Sequence, residues 1–316
     1  MMAVERIPII LDCDPGHDDA VALLLAAASP VLDLRLVSVV AGNQTLDRTV
    51  RNALSVLTVA GATHVPVAAG ADRPLVRPRI VAGHIHGESG LDGPVLPDPG
   101  FAPSSRHAVE LIIETIMSGP EPITLIPVGP LTNIALALRL APHIAFRIKE
   151  IVLMGGAIGL GNTTPAAEFN IHADPEAASI VFGSGVPLTM VGLDVTYQTQ
   201  ATPERRTRID ALNSPIATLV GGWLDFFGGR YREVYGLAGP PLHDPCAVAQ
   251  VIRPGIVRTK PMAVEIDISH GPSYGRTDCD LRGVTGKPPN ARVGVEIDAD
   301  GFYDILVETL ARYPIV

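Results

Sequence analysis

The chain has 316 residues, a formal charge of −9 and a pI near 5.4. With no basic run, that balance excludes polyanionic partners, so neither a nucleic acid nor an anionic membrane surface is expected. Apolar residues make up 47% and charged residues 18%, which excludes a disordered chain and allows a substantial core. The 31 glycines and 29 prolines follow no G-x-y period, so they read as the loops of a globular protein. Cys13, Cys246 and Cys279 cannot form an even disulfide framework and none are spaced C-x-x-C, which predicts a reducing compartment and no zinc ribbon. The start of the chain does not read as a signal peptide. The longest apolar run, Ala20 to Ala28, is nine residues, short of the about 20 that a bilayer requires. A soluble cytoplasmic protein is the expectation.

In chain order, Ile7 to Leu11 is an unbroken apolar run, the mark of a strand covered on both faces. Asp18 to Ala28 follows as a helix, opened by Pro15-Gly16 and by two acids suited to a helix N-terminus. Leu34 to Ala41 and Thr45 to Ala60 repeat strand and helix, as do Ile123 to Val128 with Leu131 to Leu140, and Ile151 to Met154 with Asp174 to Phe182. Pro187 to Leu193 is one more strand. This alternation predicts an α/β fold: a single domain with a doubly wound, mostly parallel sheet and helices on both faces. Two stretches break the rhythm. Residues 72–103, rich in Pro, Gly and His, read as a long loop or lid. Residues 201–252 read as a helical region, with Ile216, Leu219, Val220, Trp223, Leu224 and Phe227 on one apolar stripe. Strands over 263–268 and 293–297 and a helix over 302–311 complete the chain.

Ligands of doubly wound sheets sit beyond the carboxyl ends of the strands. After the first strand comes Asp12-Cys13-Asp14-Pro15-Gly16-His17-Asp18-Asp19, and after the second Gly42-Asn43. Val128-Gly129-Pro130 and Met154-Gly155-Gly156 follow later strands, while Glu168-Phe169-Asn170 and His243-Asp244-Pro245 precede helices. Four aspartates within eight residues repel one another unless a cation sits among them, and a hard ion with oxygen ligands, Ca²⁺ or Mg²⁺, suits them. The plainer alternative makes Asp18 and Asp19 helix caps and Asp12 a solvated strand end. It accounts for any one acid but not for all of them beside a Pro-Gly turn. An EF-hand fails on spacing, because His17 falls where glycine is needed and Leu23 where the bidentate Glu belongs. No G-x-G-x-x-G or Walker A follows the first strand. The Asp-x-Asp start also fits a haloacid-dehalogenase-type phosphotransferase, which leaves Asp18-Asp19 unexplained.

The run from Asp12 to Ala20 resembles the N-terminal signature of the inosine–uridine-type nucleoside hydrolases. The resemblance continues through Val40-Ala41-Gly42-Asn43, His86-Gly87-Glu88-Ser89-Gly90, Gly129-Pro130-Leu131-Thr132-Asn133, Met154-Gly155-Gly156, Gly161-Asn162, Glu168-Phe169-Asn170 and His243-Asp244-Pro245. It implies a Ca²⁺ held by Asp14, bidentate Asp19, the Val128 carbonyl and Asp244. It places Asp18, Asn43, Asn162, Glu168 and Asn170 on the sugar hydroxyls, with Met154 beneath the ring. It sets His86, Phe169, Tyr231, Tyr235 and His243 around the base. Asp14 becomes the base for water, and His243 the acid for the leaving group because an imidazole titrates near neutrality. A ring of carboxylates and amide oxygens suits the oxocarbenium-like transition state of ribosyl C–N cleavage.

The expectation is therefore Ca²⁺-dependent hydrolysis of ribonucleosides to ribose and free base, broad or pyrimidine-leaning over uridine, cytidine and inosine. A nucleoside- or sugar-binding protein without catalysis is the alternative from another class. The partner expected is a small-molecule ribonucleoside, and the resemblance implies a homodimer or homotetramer. Trp223 lies in the apolar stripe and reads as core, which argues against tryptophan stacking of a purine. His84 and His86, two apart, could also ligate a metal; His17 has no role assigned.

Overall fold

Alternate residues of the first strand pack into different hydrophobic clusters, and this sorts the whole core. The computed structural model describes residues 6–314. In β1 (Ile7–Cys13), Ile9, Leu11 and Cys13 join one cluster and Ile10 joins the other. A strand buried on both faces needs apolar residues at odd and even positions alike, hence the unbroken run. The other strands are β2 (Leu32–Val39), β3 (Val67–Ala69), β4 (Ile123–Pro127), β5 (Ile148–Met154), β6 (Leu188–Val191), β7 (Val257–Met262), β8 (Val264–Ile266), β9 (Thr277–Cys279) and β10 (Ala291–Ile297). The main sheet runs β3-β2-β1-β4-β5-β6-β10-β7, parallel except where β7 pairs antiparallel with β10; β8 and β9 form a separate hairpin. The order reverses between β1 and β4, so their carboxyl ends open a crevice at the topological switch point.

The helices are α1 (His17–Ala28), α2 (Leu46–Val59), α3 (Gly83–His86), α4 (Ala108–Ser118), α5 (Thr132–Leu140), α6 (Phe169–Ala173), α7 (Pro175–Phe182), α8 (Leu193–Thr196), α9 (Pro203–Asp210), α10 (Pro215–Tyr235), α11 (Asp244–Ile252) and α12 (Ala299–Leu310). Helices α1, α2, α10, α11 and α12 cover one face of the sheet, and α4, α5 and α7 the other. None among the described residues is long and apolar enough to cross a membrane.

Several elements depart from the pattern read in the sequence. Residues 201–252 are not one helical run. Asn213, at φ 46°, ends the α9 turn, and Ser214 caps α10 by accepting from the Ala217 amide. Gly236, at φ 68°, closes α10, and a Gly-Pro-Pro stretch separates it from α11. The strand expected over 263–268 is the short β8, while the edge strand β7 precedes it. Its Pro261 is tolerated at a sheet edge, where a missing N–H breaks no central ladder. Helix α4 falls between the predicted elements, and residues 72–103 contain the single turn α3.

Asp12 belongs to this scaffold. As an even residue of β1 it turns away from the α1 side. It accepts from Ser38 Oγ at 2.5 Å and Asn133 Nδ2 at 2.8 Å. Asn133 Oδ1 in turn accepts from the Ala71 amide at 2.8 Å. Burial pushes the Asp12 carboxyl up to about 7. Asn133 thus ties β1 and β2 to α5. Its removal leaves buried Asp12 with Ser38 alone and the Ala71 amide without a partner, so Asn133→Ala is expected to cost about 2–4 kcal/mol. A urea midpoint that does not move, at constant m value, contradicts this bracing role.

Candidate active site

The floor of the crevice is made by β1 and two helix starts. Pro15-Gly16 turns the chain sharply after Asp14, so Asp18 and Asp19 fall in the first turn of α1. Asp19 caps the turn: Oδ1 accepts from the Asp14 amide and Oδ2 from the Gly16 amide, both at 3.0 Å. Asn43, just past β2, donates its amide to Asp14 Oδ2 at 2.6 Å and its side-chain Nδ2 to Asp19 Oδ2 at 3.0 Å. Asp244 begins α11, which packs on α1, and oxygens of Asp18, Asp19 and Asp244 lie within 4.8 Å of one another.

All four carboxylates are buried, and burial pushes each pKa up. Repulsion adds to the rise for three of them: Asp19 raises Asp14, brings Asp18 up to about 8, and joins Asp18 in raising Asp244. Asp14 Oδ1 is buried with no hydrogen-bond partner among the described residues. An all-oxygen donor set with a stranded carboxylate oxygen fits a hard divalent cation. The Val128 carbonyl, at the end of β4, lines the same cavity; it accepts from Asn170 Nδ2 at 2.8 Å and keeps a second lone pair.

The walls are polar and rigid. Glu168 caps α6, accepting from the Asn170 amide at 2.8 Å, the Gly156 amide at 2.9 Å and the Ile171 amide at 3.1 Å. Gly156, at φ 74°, supplies the left-handed turn that aims its amide there. Burial raises the Glu168 carboxyl to about 7 against the lowering effect of those amides. Asn170 also donates to the Met154 carbonyl at 3.2 Å, and Asn162 Oδ1 accepts from the Phe169 amide at 2.9 Å.

The upper half is aromatic. His243 lies between Thr196 Oγ1 and Tyr231 Oη, each 2.7 Å from a ring nitrogen. Tyr235 packs beside Tyr231, with ring centroids 4.9 Å apart, and donates to the Asn162 carbonyl at 3.2 Å. His86, on α3, stacks on Phe227 and on His17. Burial lowers His243 to about 3 and His17 to about 4, and burial with the neighbouring His17 holds His86 well below its usual value. All three imidazoles are neutral near pH 7. The expectation that His243 titrates near neutrality is thus corrected: no charged partner offsets its burial.

The cavity is about 320 Å³, within the range of small-molecule sites. Its lining joins Asp18, Asn43, His86, Val128, Met154, Asn162, Glu168, Phe169, Asn170, Tyr231, Tyr235, His243 and Asp244, with Asp14 and Asp19 in the hydrogen-bonded floor beside them. Asp12, grouped in sequence with the other acids, is on the far side of the strand. The lining residues missed from the sequence are Phe227, whose helical spacing is that of a core stripe, together with Ile80, Val81, Ala82, Ile85, Thr163 and His172, which carry no motif. Trp223 is in the core, fully buried.

The doubly wound sheet thus carries a carboxylate-floored pocket at its switch point. The profile of the inosine-uridine preferring nucleoside hydrolases matches residues 9–304. The chain is 51% identical over 310 residues to the pyrimidine-specific ribonucleoside hydrolase RihB of Escherichia coli, covering 98% of this chain and 99% of that one. It is 50% identical over 308 residues to the pyrimidine-specific ribonucleoside hydrolase RihA of Citrobacter koseri, covering 97% and 99%. Among solved structures, the purine-preferring ribonucleoside hydrolase of Gardnerella vaginalis superposes with a TM-score of 0.89 at 35% identity, covering 96% of this chain and 98% of that one. The protein belongs to the inosine-uridine preferring nucleoside hydrolase family. It is a ribonucleoside hydrolase, an N-glycosidase.

The floor leaves no room around Asp14. A methyl group at Gly42 would overlap Asp14 Oδ2. Gly42→Ala is expected to displace that carboxylate and lower kcat about 100-fold, with the far-UV circular dichroism unchanged. A kcat near that of the wild type contradicts the placement.

Proposed function

We propose that the protein hydrolyses pyrimidine ribonucleosides, and inosine more slowly, with Ca²⁺ as its cation and in the cytoplasm. The observation that carries this reading is the buried carboxylate floor beneath a nucleoside-sized cavity with a neutral aromatic upper half. The names of the relatives about 50% identical support the pyrimidine preference, and the unpaired cysteines support a reducing compartment.

Asp14, Asp19, Asp244 and the Val128 carbonyl would hold the ion. Ca²⁺ accepts such flexible, protein-rich oxygen sets, whereas Mg²⁺ usually keeps several waters. When bound, the cation lowers the pKa of a water it holds. Asp18, Asn43, Asn162, Glu168 and Asn170 orient the ribose hydroxyls, and Met154 lies beneath the ring. Asp14 takes a proton from the water that adds to C1′. The C–N bond breaks with its electron pair passing to the base, which takes up a proton, so water is divided between ribose and base. His86, Phe169, Tyr231, Tyr235 and His243 surround the base. The Tyr231 hydroxyl, hydrogen-bonded to neutral His243, is the route for the base's proton. The floor is negative where the ribosyl group becomes positive, so it favours the transition state over the neutral substrate. The same acids disfavour a 5′-phosphate.

Ribose release is expected from uridine and cytidine with kcat/KM at least about tenfold above inosine, a gap of about 1.4 kcal/mol. Tyr231→Phe is expected to impair inosine more than an aryl riboside whose leaving group needs no proton. Equal losses remove Tyr231 from proton delivery, and no ribose from any nucleoside in Ca²⁺ sinks the enzyme reading.

The floor also predicts how stability depends on pH. Its carboxyl pKa values are raised above the unfolded value of 3.8, to about 8 for Asp18. Over that window the folded, cation-free protein retains protons that the unfolded chain has released. Its stability is therefore greatest at the acidic end and falls as pH rises. Ca²⁺ replaces those protons, so it is expected to raise Tm more at about pH 8 than at about pH 5.5 in chelator-treated protein. Equal shifts at both pH values contradict a cation bound by these acids.

A further inference from the structure

The β8–β9 hairpin stands apart from the main sheet and none of its residues lines the cavity, yet one of its side chains grips the loop that follows β5. Thr277, buried in β9, holds both backbone groups of Ala157. Its Oγ1 accepts from the Ala157 amide at 2.9 Å and donates to the Ala157 carbonyl at 2.6 Å. Residues opposite each other in an antiparallel ladder exchange both bonds in this way. Here one hydroxyl does so in place of a strand. Apart from Cys279 Sγ, 3.9 Å from the carbonyl, these two groups have no other partner among the described residues. The Thr277 methyl is used as well: Cγ2 fills the hollow over Gly156, where an added Cβ would lie 2.8 Å from it.

Ala157 follows Gly156, whose amide donates to Glu168 Oε2 at 2.9 Å. The same loop is fastened to the start of α8. There the Leu193 amide donates to the Gly156 carbonyl at 2.9 Å, and Asp194 Oδ2 accepts from the Ile158 amide at 2.6 Å. The hairpin also reaches the helix that Glu168 caps. Just before β9, the Tyr274 carbonyl lies 3.2 Å from Nδ1 of His172 on α6, and the two rings meet edge to face. The Tyr274 hydroxyl donates to Glu176 of α7 at 2.8 Å. Residues 274–277 thus hold both things that locate the Glu168 carboxylate, the loop whose amide it accepts from and the helix it caps.

We propose that Thr277 is a positioning residue for the reaction: by fixing both backbone groups of Ala157 it keeps the Gly156 amide on Glu168, and so holds that carboxylate against the ribose. The ribose contact rests on the nucleoside reading; the clamp on Ala157 does not.

Two measurements on the Ca²⁺-loaded protein test it. Thr277→Val keeps the shape and the methyl contact but leaves the Ala157 N–H and C=O unpaired, whereas Thr277→Ser keeps the hydroxyl. In hydrogen exchange, the Ala157 amide is expected to exchange at least about tenfold faster in Thr277→Val than in the wild type, and close to the wild-type rate in Thr277→Ser. Unchanged exchange in Thr277→Val overturns the clamp whether or not the protein cleaves nucleosides. In kinetics, Thr277→Val is expected to raise KM for uridine about tenfold with a smaller change in kcat, and Thr277→Ser to recover most of it. A double-mutant cycle reads the route through Glu168: in a Glu168→Gln background, Thr277→Val is expected to change kcat/KM less than about twofold. The same tenfold loss in both backgrounds, or faster exchange with an unchanged KM, overturns the positioning role. Thr277→Ala carries the same measurements should Thr277→Val not fold.

Discussion

Repulsion among four buried carboxylates is the constraint on which the site depends. Asp14, Asp18, Asp19 and Asp244 share one floor with no cationic side chain in the pocket lining. Backbone and amide donors hold them in place: the Gly16 and Asp14 amides on Asp19, and Asn43 on both Asp14 and Asp19. The N-terminal ends of α1 and α11 converge there as well, and their dipoles favour negative charge. This offsets part of the repulsion and leaves the rest for a cation. Gly42 and Gly129 leave the space that the Asp14 oxygens need, and Gly16 the space for His86 and Asn43, which accounts for three glycines of the motifs by volume alone.

The pocket is divided along its length. Its lower part is anionic, while its upper part holds imidazoles and phenols kept neutral by burial. A nucleoside splits the same way on cleavage, with positive charge gathering on the ribosyl carbon and negative charge on the departing base.

Much of the fold was legible in residue order. Strand–helix alternation predicted a doubly wound sheet, since a parallel strand needs apolar residues on both faces and a helix to return the chain. The motifs named the carboxylates and amides of the cavity, because strand ends converge at a switch point, but not Ile80, Val81, Ala82, Ile85, Thr163, His172 or Phe227. The misreadings have physical reasons. Asp12 reads as one of four clustered acids, but strand alternation turns it to Ser38 and Asn133. Phe227 reads as core because a helix stripe has the same period whether it faces a sheet or a cavity. Residues 201–252 read as continuous because helical periodicity survives the breaks at Asn213 and Gly236.

The sequence by itself determined the class of fold, the carboxylate-rich edge and the family, since these rest on local patterns of apolar spacing, turn residues and acids close together in the chain. Tertiary structure alone decided which acids face one another and which imidazoles lose their charge. Those properties depend on burial and on partners far along the chain, such as Asp92 for His17 and Tyr231 for His243. Spacing carries no information about either.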